Sequence, residues 1–139
     1  MSRLIFICPL LVLLAACGGG SSSSEDARGK ANDFIGTQTI TLNNAGNSAT
    51  ETDSLTLSVN QQVITLIDED FNATGALNSD NQFVISSPMF STTSGGITCT
   101  GNVVYNGQIA GNDTDGTIQG EFNCSGTVFD LTGEFSASR

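Results

Sequence analysis

Residues 97–124 read ITCTGNVVYNGQIAGNDTDGTIQGEFNC, and this stretch decides the fold class. Apolar and small residues alternate with polar ones on both sides of a Gly/Asn/Asp-rich centre, the period-two pattern of paired strands with one face buried. Two registers compete. If the chain turns at Gly111-Asn112, opposed residue numbers sum to 223. Cys99 then faces Cys124, Gly101 faces Phe122, Val103 faces Gly120 and Tyr105 faces Ile118. Each of the two glycines would lie beneath a large apolar partner, and the cysteines would be within cross-strand reach. If the chain turns instead at Asn106-Gly107, a strong two-residue hairpin signal, the cysteines fall on non-adjacent strands.

The same alternation continues outward. Phe34, Ile40 and Leu42 share one parity while Thr37, Thr39 and Thr41 take the other, and Leu55, Leu57 and Val59 alternate with Thr56, Ser58 and Asn60. The run Val63 to Ile67 is denser and suits a strand covered on both faces. Further strands are expected at 71–77, 82–85 and 127–137. Turn chemistry separates them at 43–47, 78–81, 112–116 and Ser125-Gly126. An apolar-x-Gly-x-apolar motif recurs at 118–122 and 131–135, with a looser copy at 73–77. Its glycine shares the apolar parity, so it points inward, where it permits sharp coiling or receives a facing ring. Helical periodicity is absent. The expected fold is all-β, a small antiparallel meander forming a closed or flattened β-barrel of about eight strands, with a β-sandwich as the alternative.

The amino terminus has a different character. Arg3 precedes an apolar run from Leu4 to Leu14 that is too short to span a bilayer. The run ends in Leu14-Ala15-Ala16-Cys17, which resembles the lipobox of bacterial lipoproteins. That resemblance implies cleavage before Cys17, a diacylglycerol on its thiol and an acylated new amino terminus. Gly18 after the cysteine, in place of Asp, implies the outer membrane, with the domain facing the periplasm. The resulting organisation is a signal peptide at 1–16, a lipidated Gly/Ser-rich tether at 17–30 and one folded domain at 31–139. With Cys8 lost in the signal and Cys17 lipidated, Cys99 and Cys124 remain in an oxidising compartment and are expected to form a disulfide. This favours the longer hairpin, with a bulge near Asn106-Gly107.

Charge removes several functions. The chain has 14 acidic and 4 basic residues and no His. Setting aside Glu25, Asp26, Arg3, Arg28 and Lys30 leaves twelve acids and Arg139 alone in 31–139, a formal charge of -11. Such a domain cannot neutralise phosphates, so nucleic acid is excluded, and anionic headgroups would be repelled, leaving the acyl anchor as the membrane contact. A cationic partner would be attracted. Without His, Ser-His and Cys-His nucleophiles and His-ligated metals are excluded.

Carboxylate chemistry survives. Asp68-Glu69-Asp70 could raise a carboxyl pKa by mutual repulsion, as a carboxylate-only hydrolase would need, but adjacent acids splay apart and read more simply as a solvated turn. Asp113 and Asp115 resemble the centre of a calcium loop, without the downstream bidentate Glu that such a loop needs. Met89 and Phe90 lie in a long connection, 86–96, that reads as an interaction loop or as a flap over one end of the barrel. Together these features suggest a non-catalytic binding module without a cofactor. Its partner would be a basic protein such as lysozyme, or a small apolar ligand held as in lipocalin-like proteins.

Overall fold

The computed structural model describes residues 33–139; the lipobox, Cys17 and the tether lie outside the described residues. Nine strands follow in order: β1 Asp33–Asn44, β2 Asn47–Asn60, β3 Val63–Ile67, β4 Asn72–Ala76, β5 Gln82–Ser86, β6 Phe90–Ser94, β7 Ile97–Ala110, β8 Asp113–Cys124 and β9 Thr127–Ser138. The sheet runs β4-β3-β2-β1-β9-β8-β7-β5, with β6 also on β7. All the pairings are antiparallel. A bridge between Leu77 and Phe83 joins the ends of the sheet. The result is a nearly closed barrel with eight wall positions, one of which β5 and β6 share. The sandwich alternative falls away.

The hairpin at 97–124 takes the longer register: Cys99 opposes Cys124 and Ala110 opposes Asp113, with every pair between in step. The cysteines form a disulfide. In the chain-entropy description, a 25-residue separation is worth about 3 kcal/mol.

Four expectations are corrected. No bulge interrupts Asn106-Gly107, because Gly107 opposes Gly116 and two facing glycines let the wall bend sharply without an extra residue. The acidic stretch at 113–116 belongs to β8, since the two-residue turn at Gly111-Asn112 already reverses the chain. Val63–Ile67 is covered on one face only: Ile64 and Leu66 are fully buried, while Val63 and Ile67 are nearly half exposed. The connection at 86–96 is mostly strand. Ser86 opposes Val104 and Phe90 opposes Gly101, so three residues, Ser87, Pro88 and Met89, span two, Val103 and Asn102. Pro88 has no N–H to give to a ladder, and Ser87 compensates. Its N–H donates to the Val103 carbonyl, and its Oγ accepts the Val103 N–H, both at 2.9 Å.

The inward parity of every strand fills the barrel. Phe34, Leu57, Ile64, Leu66, Ile85, Ile118 and Phe122 have no exposed surface, and Leu55 and Tyr105 show 1% each. Side chains with so little accessible surface leave no room beside them for a water-sized sphere. The interior is therefore a packed core at these residues.

Candidate functional site

The two ends of the barrel differ. Asp33, the chain terminus at Arg139 and the turns at 61–62, 78–81 and 111–112 gather at one end. The turns at 45–46, 68–71, 95–96 and 125–126 form the other. β3 and β4 have five residues each, whereas β1, β2, β7, β8 and β9 have twelve or fourteen. Above the short pair the wall is missing two strands, and the 68–71 turn forms the floor of a notch between β2 and β6.

A polar thread runs from the core to this notch. Tyr105 Oη donates to Gln38 Oε1 at 2.8 Å, and Gln38 Nε2 donates to Asp68 Oδ2 at 3.4 Å. Gln38 is only 1% exposed, so its amide needs both partners. Asp68 also accepts the Asp70 N–H on Oδ1 at 3.0 Å, which fixes the turn. Asp53 opposes Gln38 across β1 and β2, and its Oδ1 accepts the N–H of Ser54 at 2.8 Å. Phe71, Phe90 and Phe122 stack beside the floor, with centroids 4.9 and 5.3 Å apart in succession.

The electrostatics follow from this crowding. Burial, and then the charge of Asp70, push the Asp68 carboxyl above its ordinary range against opposing hydrogen bonds from Asp70 and Gln38. Asp70 is raised by burial and by the charges of Glu69 and Asp53. Burial beside Asp68 and Asp53 raises the Tyr105 hydroxyl, which stays protonated as the donor to Gln38. Because the folded state favours protonated Asp68, stability is greater at low pH and is lost as pH rises through the raised pKa. Asp68→Asn is expected to raise the urea midpoint at pH 7 and to flatten the stability profile between the raised pKa and about pH 4. A lower midpoint at pH 7 would show that the carboxylate earns more from Gln38 than it loses by burial.

Of the residues flagged from the sequence, Asp68 and Asp70 meet at this end, with Asp70 exposed. Met89 is 68% exposed on the bulge, but Phe90 turns inward onto Phe71 and Phe122, so it acts as part of the plug and the pair does not form one exposed patch. Asp113 and Asp115 project outward from β8 on either side of buried Thr114, opposite Ala110 and Gln108, and form no loop. Among the described residues no group of three or more His, Cys, Asp or Glu gathers to hold a metal. Gln38, Asp53 and Tyr105 were not singled out from the sequence as functional. The available signal was parity: Gln38 and Tyr105 occupy inward positions in strands whose other inward residues are apolar or Gly, and Asp53 lies, with Glu51, on the parity of Leu55 and Leu57. Two depressions of about 450 and 360 Å³ lie on the outer wall, both reaching Gly116, and neither enters the core.

Arg139, the sole Lys or Arg of the described residues, lies at the far end. Its guanidinium sits 4.7 Å from the Phe34 ring centroid and its backbone N–H donates to the Asn112 carbonyl. The same end also carries Asp33, Asp80 and Asp113, so acids occur at both ends, and it is the notch that has no Lys or Arg among the described residues.

No family model matches the chain, and no curated protein matches it. Among solved structures it is similar to the ywiB protein from Bacillus subtilis, with 10% identity over 78% of this chain and 92% of that one and a TM-score of 0.35. At that score the likeness carries no functional argument.

Proposed function

We propose that the protein is a non-catalytic lipoprotein of the bacterial outer membrane that presents an acidic barrel end to a cationic protein in the periplasm. The observation that carries this reading is the acidic notch: Asp53, Asp68 and Asp70 gather there, and Arg139, the sole described cation, is held at the other end beside Phe34. Anchoring at Cys17 agrees with it. The described residues start at Asp33 on the Arg139 end, so a lipid-held tether attached there would let the notched end face away from the membrane. Opposed potentials would speed encounter and select partners by sign. Internal carriage of an apolar ligand has less support, because the inward side chains already fill the space a ligand would need.

The test is calorimetric titration of the detergent-solubilised full chain with lysozyme as the basic probe. Binding is expected at 20 mM salt and should weaken at least roughly tenfold at 0.5 M, as screening shortens the reach of surface charge. The double variant Asp53→Asn, Asp70→Asn should weaken it further at low salt. Affinity that ignores both salt and these substitutions would overturn the reading. A mass excess released on denaturation in native mass spectrometry would replace it with ligand carriage.

A further inference from the structure

We infer that the outer edge of β2 between Asn47 and Leu55 is a docking edge for an extended cationic segment of the partner, which adds to the sheet as a strand. This deepens the proposed function and rests on it.

β2 pairs with β1 from Asn47 to Ser58 but with β3 only from Thr56 to Asn60. Beyond Thr56, no described strand lies on its other side. The two-residue turns fix which backbone groups face that opening. Asn44 and Asn47 close the β1–β2 turn, and Asn60 and Val63 close the β2–β3 turn. The residues closing such turns exchange hydrogen bonds, so odd-numbered residues from 47 to 55 bond to β1 and even-numbered ones face outward. Ser48, Thr50 and Thr52 therefore offer N–H and C=O groups to the opening. Ser54 offers its C=O, its N–H being held by Asp53. Seven residues of edge, 48–54, span about 23 Å at the rise of a strand.

The edge is ordered before anything docks. Thr50 and Thr52 are tied across to β1 through hydroxyl hydrogen bonds, Thr41 to Thr50 at 2.9 Å and Thr39 to Thr52 at 3.1 Å. Ordering that precedes binding is ordering that the complex does not have to supply.

Proteins usually blunt an exposed edge with Lys, Pro or a bulge. The facing edge, β6, follows that practice with Pro88 and the bulge at 87–89. The β2 edge has none of the three: 47–55 contains no Lys or Pro, and its register on β1 is unbroken. It has acids instead. A second copy pairing antiparallel about Glu51 would set Glu51 against itself, and pairing about Thr52 would set it against Asp53, so like charges oppose self-association. The same acids favour a strand with Lys or Arg at alternate positions. Residues opposite Glu51 and Asp53 share the inward parity of Asp53, and their cations would approach Asp53, Asp68 and Asp70 at the notch. The backbone edge would supply affinity and the acids would supply selection.

The probe is the capped octapeptide (Lys-Val)4, with (Glu-Val)4 as the control, added to the full chain in detergent. Amide hydrogen exchange should slow at least about tenfold at Ser48, Thr50 and Thr52, with little change on β6. Thr52→Pro removes an edge N–H and the exposed hydroxyl bond to Thr39 but no backbone hydrogen bond of the ladder to β1. It should weaken peptide binding at least about tenfold while leaving the circular dichroism intact. Should that variant misfold, exchange on the unaltered chain decides. Protection elsewhere, equal binding of (Glu-Val)4, or undiminished binding by a folded Thr52→Pro chain would each overturn the inference. So would protection at these residues in a dimer formed without peptide. If lysozyme binds but β2 is not protected, the edge fails and the acidic reading stands. If neither probe binds, both fail.

Discussion

Gly116→Val is expected to yield no folded protein. A Cβ at this position would lie 2.1 Å from the Asn106 carbonyl oxygen, 2.7 Å from the Gly107 Cα and 2.7 Å from the Phe135 ring. Two of these neighbours are backbone and cannot rotate away. Gly116 opposes Gly107 in the ladder, so relief would require β7 and β8 to separate at this pair. Cores tolerate an extra methylene at about 1–3 kcal/mol when side chains can move. Here they cannot, and a cost above about 4 kcal/mol would consume much of the stability of a domain this small. The measurements are secretion yield and far-ultraviolet circular dichroism. Gly46→Ala is the control. That position has φ +88° and nothing within 4 Å, so only the backbone preference, about 1 kcal/mol, should be lost. A folded Gly116→Val chain melting within a few degrees of the parent would refute the account of the bend.

Phe135→Ala is expected to cost about 3–5 kcal/mol in urea unfolding. The Phe135 ring is 3% exposed and packs 6.2 Å from the Phe83 ring and 5.9 Å from the Tyr105 ring, centroid to centroid. It also reaches the space above both Gly107 and Gly116. Removing it uncovers two backbone segments as well as a ring contact, so the loss should fall toward the upper end of that range. The barrel interior has no spare side chain to collapse inward, because the neighbours are already held by their own strands. A loss below about 1.5 kcal/mol would mean that the site relaxes and that the glycines, not the ring, set the curvature.

Both predictions concern features that were partly legible beforehand. The glycines of the apolar-x-Gly-x-apolar motif share the inward parity, and parity is local, so their direction follows from the chain alone. Cys99 and Cys124 then select one register, since only a turn at Gly111-Asn112 brings them opposite. Val63–Ile67 was harder to read, because an apolar run offers a hydrophobic residue to either face, and the packing leaves Val63 and Ile67 outside. Asp113-Thr114-Asp115-Gly116 has the composition of a turn, yet pairing with β7 on one side and β9 on the other holds it as strand. By its sequence Phe90 reads, with Met89, as part of a connecting loop. The extra residue at 87–89 reverses parity there and sends the ring inward.

The candidate site was legible only in its acids. Asp68 and Asp70 are conspicuous as a run, whereas Gln38, Asp53 and Tyr105 are scattered across 68 residues of chain, Gln38 to Tyr105 inclusive. What joins them is barrel closure, which sets Tyr105 on β7 against Gln38 on β1.

By itself the sequence determined the strand class, the inward parity, the disulfide register and the acidity, each of which depends on residue type and spacing within a hairpin. The tertiary structure alone decided that the sheet closes, that Tyr105, Gln38 and Asp68 form one thread, and that β2 outruns β3 to leave an open edge. These depend on the relative heights of strands far apart in the chain, which are set by how the filled interior packs and not by the pattern of any one strand.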